Sequence, residues 1–240
     1  MLITTLIVVI VLLTAAGLTL RHWMAEGNLH MQAAQQMREM GARVQMKLIQ
    51  DVSLTSKGAY SEGSRIGRDY VRVEGGPTWM AAWDIEPAFQ RVDLVFYHER
   101  SLEKLEAFLE LFGQLGQVDI LSIVSPEVTN DHVERLLQQV RLKTLLLQGE
   151  QIGGEPMPFL KSSQLEDLAF AHTSLRDEGL DDLPESLTQL TLTGNHLTEG
   201  GLKKLIRLKK LKQLEIDQAG ISRQTLKELQ KEMPWCWVVT

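Results

Sequence analysis

The sequence predicts an α/β solenoid, a parallel sheet backed by helices, carried behind one N-terminal transmembrane helix. Three observations predict it. Six eleven-residue segments recur at a nearly fixed spacing, leucine is concentrated where they lie, and the chain begins with an uncharged apolar run. Of 39 leucines in 240 residues, 30 fall from Leu94 onward and none lies between Thr55 and Asp93. An apolar content of 44% is too high for a disordered chain. A net charge of -6 argues against a general nucleic-acid binder, whose footprint should be basic. One cysteine excludes an intramolecular disulfide and a cysteine-based zinc site.

Residues 2–20, LITTLIVVIVLLTAAGLTL, carry no charge. At about 1.5 Å per helical residue such a run just covers a hydrocarbon core of about 30 Å, so one helix suffices to hold the chain in a bilayer. A cleaved leader is the alternative, with Thr14, Ala15 and Ala16 as its small residues, but no basic segment precedes the run. Arg21 and Arg38 follow it and no Lys or Arg precedes it, which places the remainder on the cytoplasmic side. Arg21, His22 and Trp23 suit the interface.

From Ala25 to Met40 the pattern turns polar and helical, with Leu29, Ala33, Met37 and Met40 on one stripe and Gly41 as the stop. Methionines so spaced read as packing rather than metal ligands. Val44, Met46 and Leu48 alternate with polar residues as in a strand. Residues 53–69 read as a loop, and Tyr70, Val71 and Val73 resume an extended pattern. In GGPTWMAAW, Pro77 interrupts, and Trp79 and Trp83 share a helical face suited to covering the open end of a stack. A ligand platform is the rival use of the two rings.

The segments are VDLVFYHERSL from Val92, VDILSIVSPEV from Val118, LKTLLLQGEQI from Leu142, LEDLAFAHTSL from Leu165, LTQLTLTGNHL from Leu187 and LKQLEIDQAGI from Leu211. They start 26, 24, 23, 22 and 24 residues apart, with aliphatic or aromatic residues at positions one, four, six and eleven. Positions four and six lie two apart, so in a strand both point inward while their neighbours point out. After position eleven a helical period takes over, as in Leu202, Leu205 and Leu208, or Leu226 and Leu229. A strand plus helix of this size cannot bury its apolar face alone, and stacking the units makes a continuous interior. Beyond the last helix, Pro234 breaks the chain and WCWVV reads as a final strand or edge cover, with Cys236 a buried structural thiol.

With this period and these leucines, residues 92–240 resemble the leucine-rich repeat superfamily. The strings TSLRDEGL from Thr173 and NHLTEGGL from Asn195 are similar to its ribonuclease-inhibitor-like subtype in bacterial form. The superfamily's turn residue is matched by Thr173 and Asn195, whereas Arg100, Pro126, Glu150 and Ala219 depart from it. The N-terminal run, REMGARVQM, and Gly76, Pro77 and Trp79 extend the resemblance to membrane-tethered bacterial leucine-rich repeat proteins. That resemblance implies an N-terminal cap and no catalytic residues. The expected divisions are an anchor over 1–22, a cap over 23–91, and about six units with a C-terminal cap over 92–240.

Positions three, five and seven give three outward rows. They read Leu94, Ile120, Thr144, Asp167, Gln189, Gln213; Phe96, Ser122, Leu146, Ala169, Thr191, Glu215; and His98, Val124, Gln148, Ala171, Thr193, Asp217. The first units are apolar and the last polar to acidic. Leu94, Phe96, Ile120, Val124 and Leu146 are therefore the candidate partner-binding residues. Coverage by residues 25–90, or a one-residue slip of the first strand, would remove them from the surface. On the other side, Lys203, Lys204, Arg207, Lys209, Lys210 and Lys212 face Asp177, Glu178, Asp181, Asp182 and Glu185 of the preceding unit; inter-unit ion pairing is the first reading and contact with anionic lipid the second. The histidines show no pair at metal-ligand spacing, and no phosphate loop, nucleophile elbow or HExxH motif occurs. Asp182 with Asp181 or Glu178 reads as solvated charge, not an acid/base pair. The expectation is a membrane-anchored, non-enzymatic module without cofactor that binds a protein partner through its sheet. A self-associating scaffold is the alternative, and an enzyme with an unfamiliar site the remote one.

Overall fold

A computed structural model describes residues 2–48, 90–217 and 221–239, with side chains from Leu12 onward except that of Leu48. The loop at 53–69, the extended pattern at Tyr70–Val73, the GGPTWMAAW segment with Trp79 and Trp83, and the turn position Ala219 lie outside the described residues. The chain divides into two compact units, residues 1–34 with 45–92, and residues 35–44 with 93–240.

One helix, α1 (Leu2–Glu39), runs without a break through the expected anchor and into the polar segment, with residues 2–34 in the first unit and 35–39 in the second. The expected boundary near residue 22 is thus not a structural end, because no Gly or Pro interrupts the turn there. Among the described residues no helix is long and apolar enough to cross a membrane. The expected span at 2–20 falls only partly within them, since the side chains of residues 2–11 are not described. Leu12, Leu13 and Leu18 are 63–69% exposed. Ala33 and Met37 are buried, as the stripe predicts, and His30 is buried with them. That histidine was not foreseen. Its Nδ1 accepts from the Val92 amide at 3.0 Å, and Glu26 pairs with Arg91 at 2.7 Å.

The helix ends where Gly41 predicts, in a left-handed turn (φ 92°), with Ala42 N–H bonding to Met37 O at 2.9 Å. Strand β1 (Arg43–Leu48) follows. The larger unit is then built from β2 (Gln90–His98), α2 (Leu102–Gly113), β3 (Ile120–Val124), α3 (Asn130–Gln139), β4 (Thr144–Gln148), β5 (Asp167–Ala171), β6 (Gln189–Thr193), α4 (Glu199–Leu202), β7 (Gln213–Asp217), α5 (Arg223–Glu232) and β8 (Trp237–Val239). The eight-stranded sheet takes them in sequence order, and the pairs from β2 to β8 are parallel.

The register reproduces the repeat frame without a slip. Val95, Leu121, Leu145, Leu168, Leu190 and Leu214 are successive partners, as are Tyr97, Ile123, Leu147, Phe170, Leu192 and Ile216. Every one is at most 2% exposed. WCWVV adds a strand as expected, and Trp237 pairs with Gln213 exactly one 24-residue step further on.

The expectation that each unit carries a helix needs correction. α2 buries Leu105, Phe108, Leu109 and Phe112, and α3 buries His132, Val133 and Leu136. The next two connections form only 3₁₀ turns, Pro158–Ser162 and Asp177–Asp182, and a third joins the short α4 to a 3₁₀ turn at Lys203–Arg207. Chemistry explains the first: Gly153, Gly154, Pro156 and Pro158 leave no uninterrupted helical stretch. Gly153 has φ 82°, and a Cβ there would lie 2.8 Å from Leu175 Cα. The chain can pass the next unit so closely only as glycine.

Adjacent Leu145 and Leu146 test the register because one is fully buried and the other half-buried on the outer face. We expect Leu145→Ala to lower the urea-unfolding stability by about 2–5 kcal/mol, and Leu146→Ala by less than about 1 kcal/mol. Equal losses would contradict the inward and outward assignment.

Candidate functional site

The outer face of the sheet is a grid whose rows are fixed by strand register. Leu94, Ile120, Thr144, Asp167, Gln189 and Gln213 are consecutive partners, so the first row is as the sequence frame predicts. The rows through Phe96 and His98 follow by the same pairings. Neighbours along a row are about 5 Å apart and neighbours along a strand about 7 Å.

Of the five expected binding residues, Phe96, Ile120, Val124 and Leu146 are half-buried on this face. Leu94 departs from the expectation, being only 1% exposed, so it can support the patch but not present it. The four others surround Ser122. Phe96 and Leu146 are its partners on the flanking strands, while Ile120 and Val124 sit two residues away on its own strand. Ser122, the small residue at the centre of these four, is itself only 9% exposed. The sequence pattern ranked large apolar residues and passed over the serine between them.

Further along, the face becomes polar and internally bonded. Thr144 Oγ1 donates to Asp167 Oδ2 and Thr188 Oγ1 to Asp167 Oδ1, each at 3.1 Å. One carboxylate is therefore held between two hydroxyls from neighbouring units. Gln189, Thr191, Thr193 and Glu215 continue the polar surface.

Where the strands end, the buried Thr173 hydroxyl donates to Asn195 Oδ1 at 2.6 Å and Asn195 Nδ2 donates to Phe170 O at 2.9 Å, as the turn positions predict. Two of the units that depart from the repeat consensus solve the turn one residue earlier. Ser125 Oγ accepts from Glu127 N at 3.1 Å. Glu99 accepts from Arg100 N at 2.8 Å and Ser101 N at 3.1 Å, and these two amides hold its carboxyl below the usual carboxylate range.

The opposite side bears charge that joins units. Arg207 Nη2 donates to Leu180 O at 2.9 Å, Asp181 O at 3.1 Å and Leu183 O at 2.7 Å. Lys204 donates to Asp177 O at 2.9 Å and Asp181 Oδ2 at 2.6 Å, and the Asp181 carboxylate raises the lysine above its ordinary range. The expected inter-unit pairing is present. It goes beyond solvated ion pairs, since Arg207 satisfies backbone carbonyls at the end of the 3₁₀ turn and Lys204 one at its start. Between α2 and α3, His132 Nδ1 accepts from Thr129 N at 3.1 Å, so its Nε2–H donates to Glu106 at 2.9 Å. That bond and Arg135 hold the Glu106 carboxyl below its ordinary range.

Asp182 overturns the reading of solvated charge. It is 6% exposed, Oδ2 accepts from Met157 N at 2.7 Å, and Oδ1 lies 3.1 Å from Lys161 Nζ. Its role is to terminate a backbone amide of the preceding unit. Asp181 and Glu178 remain exposed beside it. Cys236 is buried as expected, and burial pushes its thiol up to about 11, leaving almost no thiolate at neutral pH.

No protein family's pattern and no curated protein matches the chain. Among solved structures it is similar to a leucine-rich repeat protein of Leptospira interrogans, with 26% identity and a TM-score of 0.39 over 55% of this chain. The chain spans about a third of that protein, 33% of its length. The geometry described above is that of parallel strands stacked in sequence order with helices and 3₁₀ turns between them.

Removing the Asp182 carboxylate would leave a buried amide without an acceptor. We expect Asp182→Ala to destabilise the chain by about 1–3 kcal/mol in urea unfolding and Asp182→Asn, which keeps an acceptor oxygen, by less. Equal stability of the wild type and Asp182→Ala would refute the clamp.

Proposed function

We propose that the chain is a non-enzymatic protein-interaction module whose sheet face receives an apolar group of a partner at Ser122. The observation that carries this reading is the ring of Phe96, Ile120, Val124 and Leu146 around that serine, with buried Leu94 beside Ile120 in the same row. Large apolar side chains held in fixed positions on a rigid sheet lose little entropy on binding, which favours association. The polar half of the face, with Asp167 already bonded, gives such a contact a direction and limits its extent.

Residues 2–20 serve in this reading as a membrane tether, supported by their lack of charge and by the exposure of Leu12, Leu13 and Leu18. Arg21 and Arg38 after the run, with no Lys or Arg before it, favour a cytoplasmic repeat unit in this reading. Alkaline carbonate extraction tests the tether: the intact chain stays with the membrane, and its release into the supernatant would refute it.

Crosslinking in cells followed by detergent extraction tests the face. The wild type should recover a partner that Phe96→Asp with Leu146→Asp loses by tenfold or more, while Glu103→Gln on the exposed side of α2 retains it. Recovery of only the chain itself, unchanged by the double substitution, would instead favour a self-assembling scaffold.

The sheet edge argues against assembly by strand addition at β8. Gln230 Oε1 accepts from Val238 N at 2.9 Å and Gln230 Nε2 donates to Cys236 O at 2.7 Å. A side-chain amide thus occupies the groups that another strand would need. We expect Gln230→Ala to produce concentration-dependent self-association in analytical ultracentrifugation, with the wild type remaining unassociated under the same conditions. If neither or both associate, the edge is not controlled by Gln230.

A further inference from the structure

Residues 203–212 hold six basic side chains and no acidic one, in a chain whose net charge is -6. The structure separates them by use. Lys204 and Arg207 are engaged with the preceding unit. Lys203, Lys209, Lys210 and Lys212 are exposed, the last three next to the C-terminal tryptophan segment.

This segment meets two tryptophans, Trp235 just before the last strand and Trp237 within it. Lys209 Nζ sits 3.8 Å from the centre of the Trp235 ring, and Trp235 Nε1 donates to Leu208 O at 3.3 Å. Lys212 O accepts from Trp237 N at 2.8 Å, so Trp237 is bonded directly to the lysine-bearing segment. Trp237 is 65% exposed, a large apolar surface on the edge strand. Glu215 and Glu232 are the acids nearest in sequence to this corner, and Glu185 is the residue one 24-residue step before Lys209.

We propose that this corner docks on an anionic bilayer surface, with Lys209, Lys210 and Lys212 over lipid phosphates and carboxylates and the Trp237 indole in the headgroup layer. Indole prefers that layer because it is apolar over most of its surface yet carries one N–H, and lysine reaches anionic headgroups on a flexible apolar stem. An exposed indole next to cationic side chains favours the headgroup layer, which accommodates both, over an acidic protein surface, which pairs only with the charges. Charge and exposed indole carry the inference without the tether. The tether in the proposed function would only raise the local lipid concentration.

Site-resolved lysine acetylation of the full chain, read by mass spectrometry, tests it. Vesicles containing phosphatidylserine should protect Lys209, Lys210 and Lys212, vesicles of phosphatidylcholine alone should not, and high salt should abolish the protection. Lys143 and Lys161 serve as unprotected controls. Trp237→Ala should weaken the protection, and Lys209→Gln with Lys210→Gln and Lys212→Gln should raise the serine-lipid concentration needed to shield Trp237 from an aqueous quencher by on the order of a hundredfold. Equal protection by both vesicle types, no protection by either, or equal protection by polyglutamate would overturn the proposal. Carbonate extraction reports on residues 2–20 separately, so failure of the tether and failure of this surface give different results.

Discussion

The structure depends on one constraint: parallel strands stacked in register must bring the same repeat position of every unit into the same row. Once Leu121, Leu145, Leu168, Leu190 and Leu214 are successive partners, every neighbouring position is assigned to the interior or the outer face. A slip by one residue would expose a whole row of leucines and bury Asp167, Thr191 and Glu215. The apolar interior therefore holds the register, and the register holds the arrangement of the outer face. Phe96, Ile120, Val124 and Leu146 converge on Ser122 for that reason alone, without any bond among them.

A second consequence concerns polar groups. Between the strands each unit turns across the interior, and its amides and carbonyls must be satisfied in a connection of varying length. The longer connections do so internally with α2 and α3. The shorter ones borrow from the adjoining unit, through Asp182 to Met157, Asn195 to Phe170, and Arg207 to Leu180, Asp181 and Leu183. The opposite charges of successive units are thus partly backbone completion. Exposed pairs of that kind contribute little by charge alone, whereas an amide deprived of its acceptor in the interior is costly.

The frame, the rows, the stop at Gly41 and the last strand were legible because each rests on a periodic pattern or a local backbone rule. Gly41 is read from one residue, and Trp237 from one more step of the period. What stayed hidden rests on pairs distant in sequence with no period of their own. Nothing local distinguishes buried Asp182 from exposed Asp181, since their difference is made by Met157 and Lys161 of another unit. Leu94 occupies an outward position in the frame and is nevertheless buried. Ser122 was overlooked because its position matters only through the four apolar residues that register places around it. His30 and Gln230 likewise acquire meaning only from the Val92 and Val238 amides.

A repeat gives every unit the same opportunities, so a residue used differently from its equivalents identifies a demand that stacking does not impose. The outward middle row carries Phe96, Ser122 and Leu146 in its first units but Thr191 and Glu215 in its last, although all five occupy one strand position. Stacking is indifferent to that choice, because none of them enters the interior. The basic segment invites the same reasoning. Arg207 and Lys204 complete the preceding unit, while the same connection continues to Lys209 over the Trp235 ring and to exposed Lys210 and Lys212. Like charges so close together repel one another, and that unfavourable term is offset when anionic surface approaches. An exposed indole at Trp237 adds apolar area that water disfavours and that the sheet interior does not take up. Both departures from equivalence thus point outward, one to an apolar group of a protein and the other to a lipid surface, and they lie at opposite ends of the array.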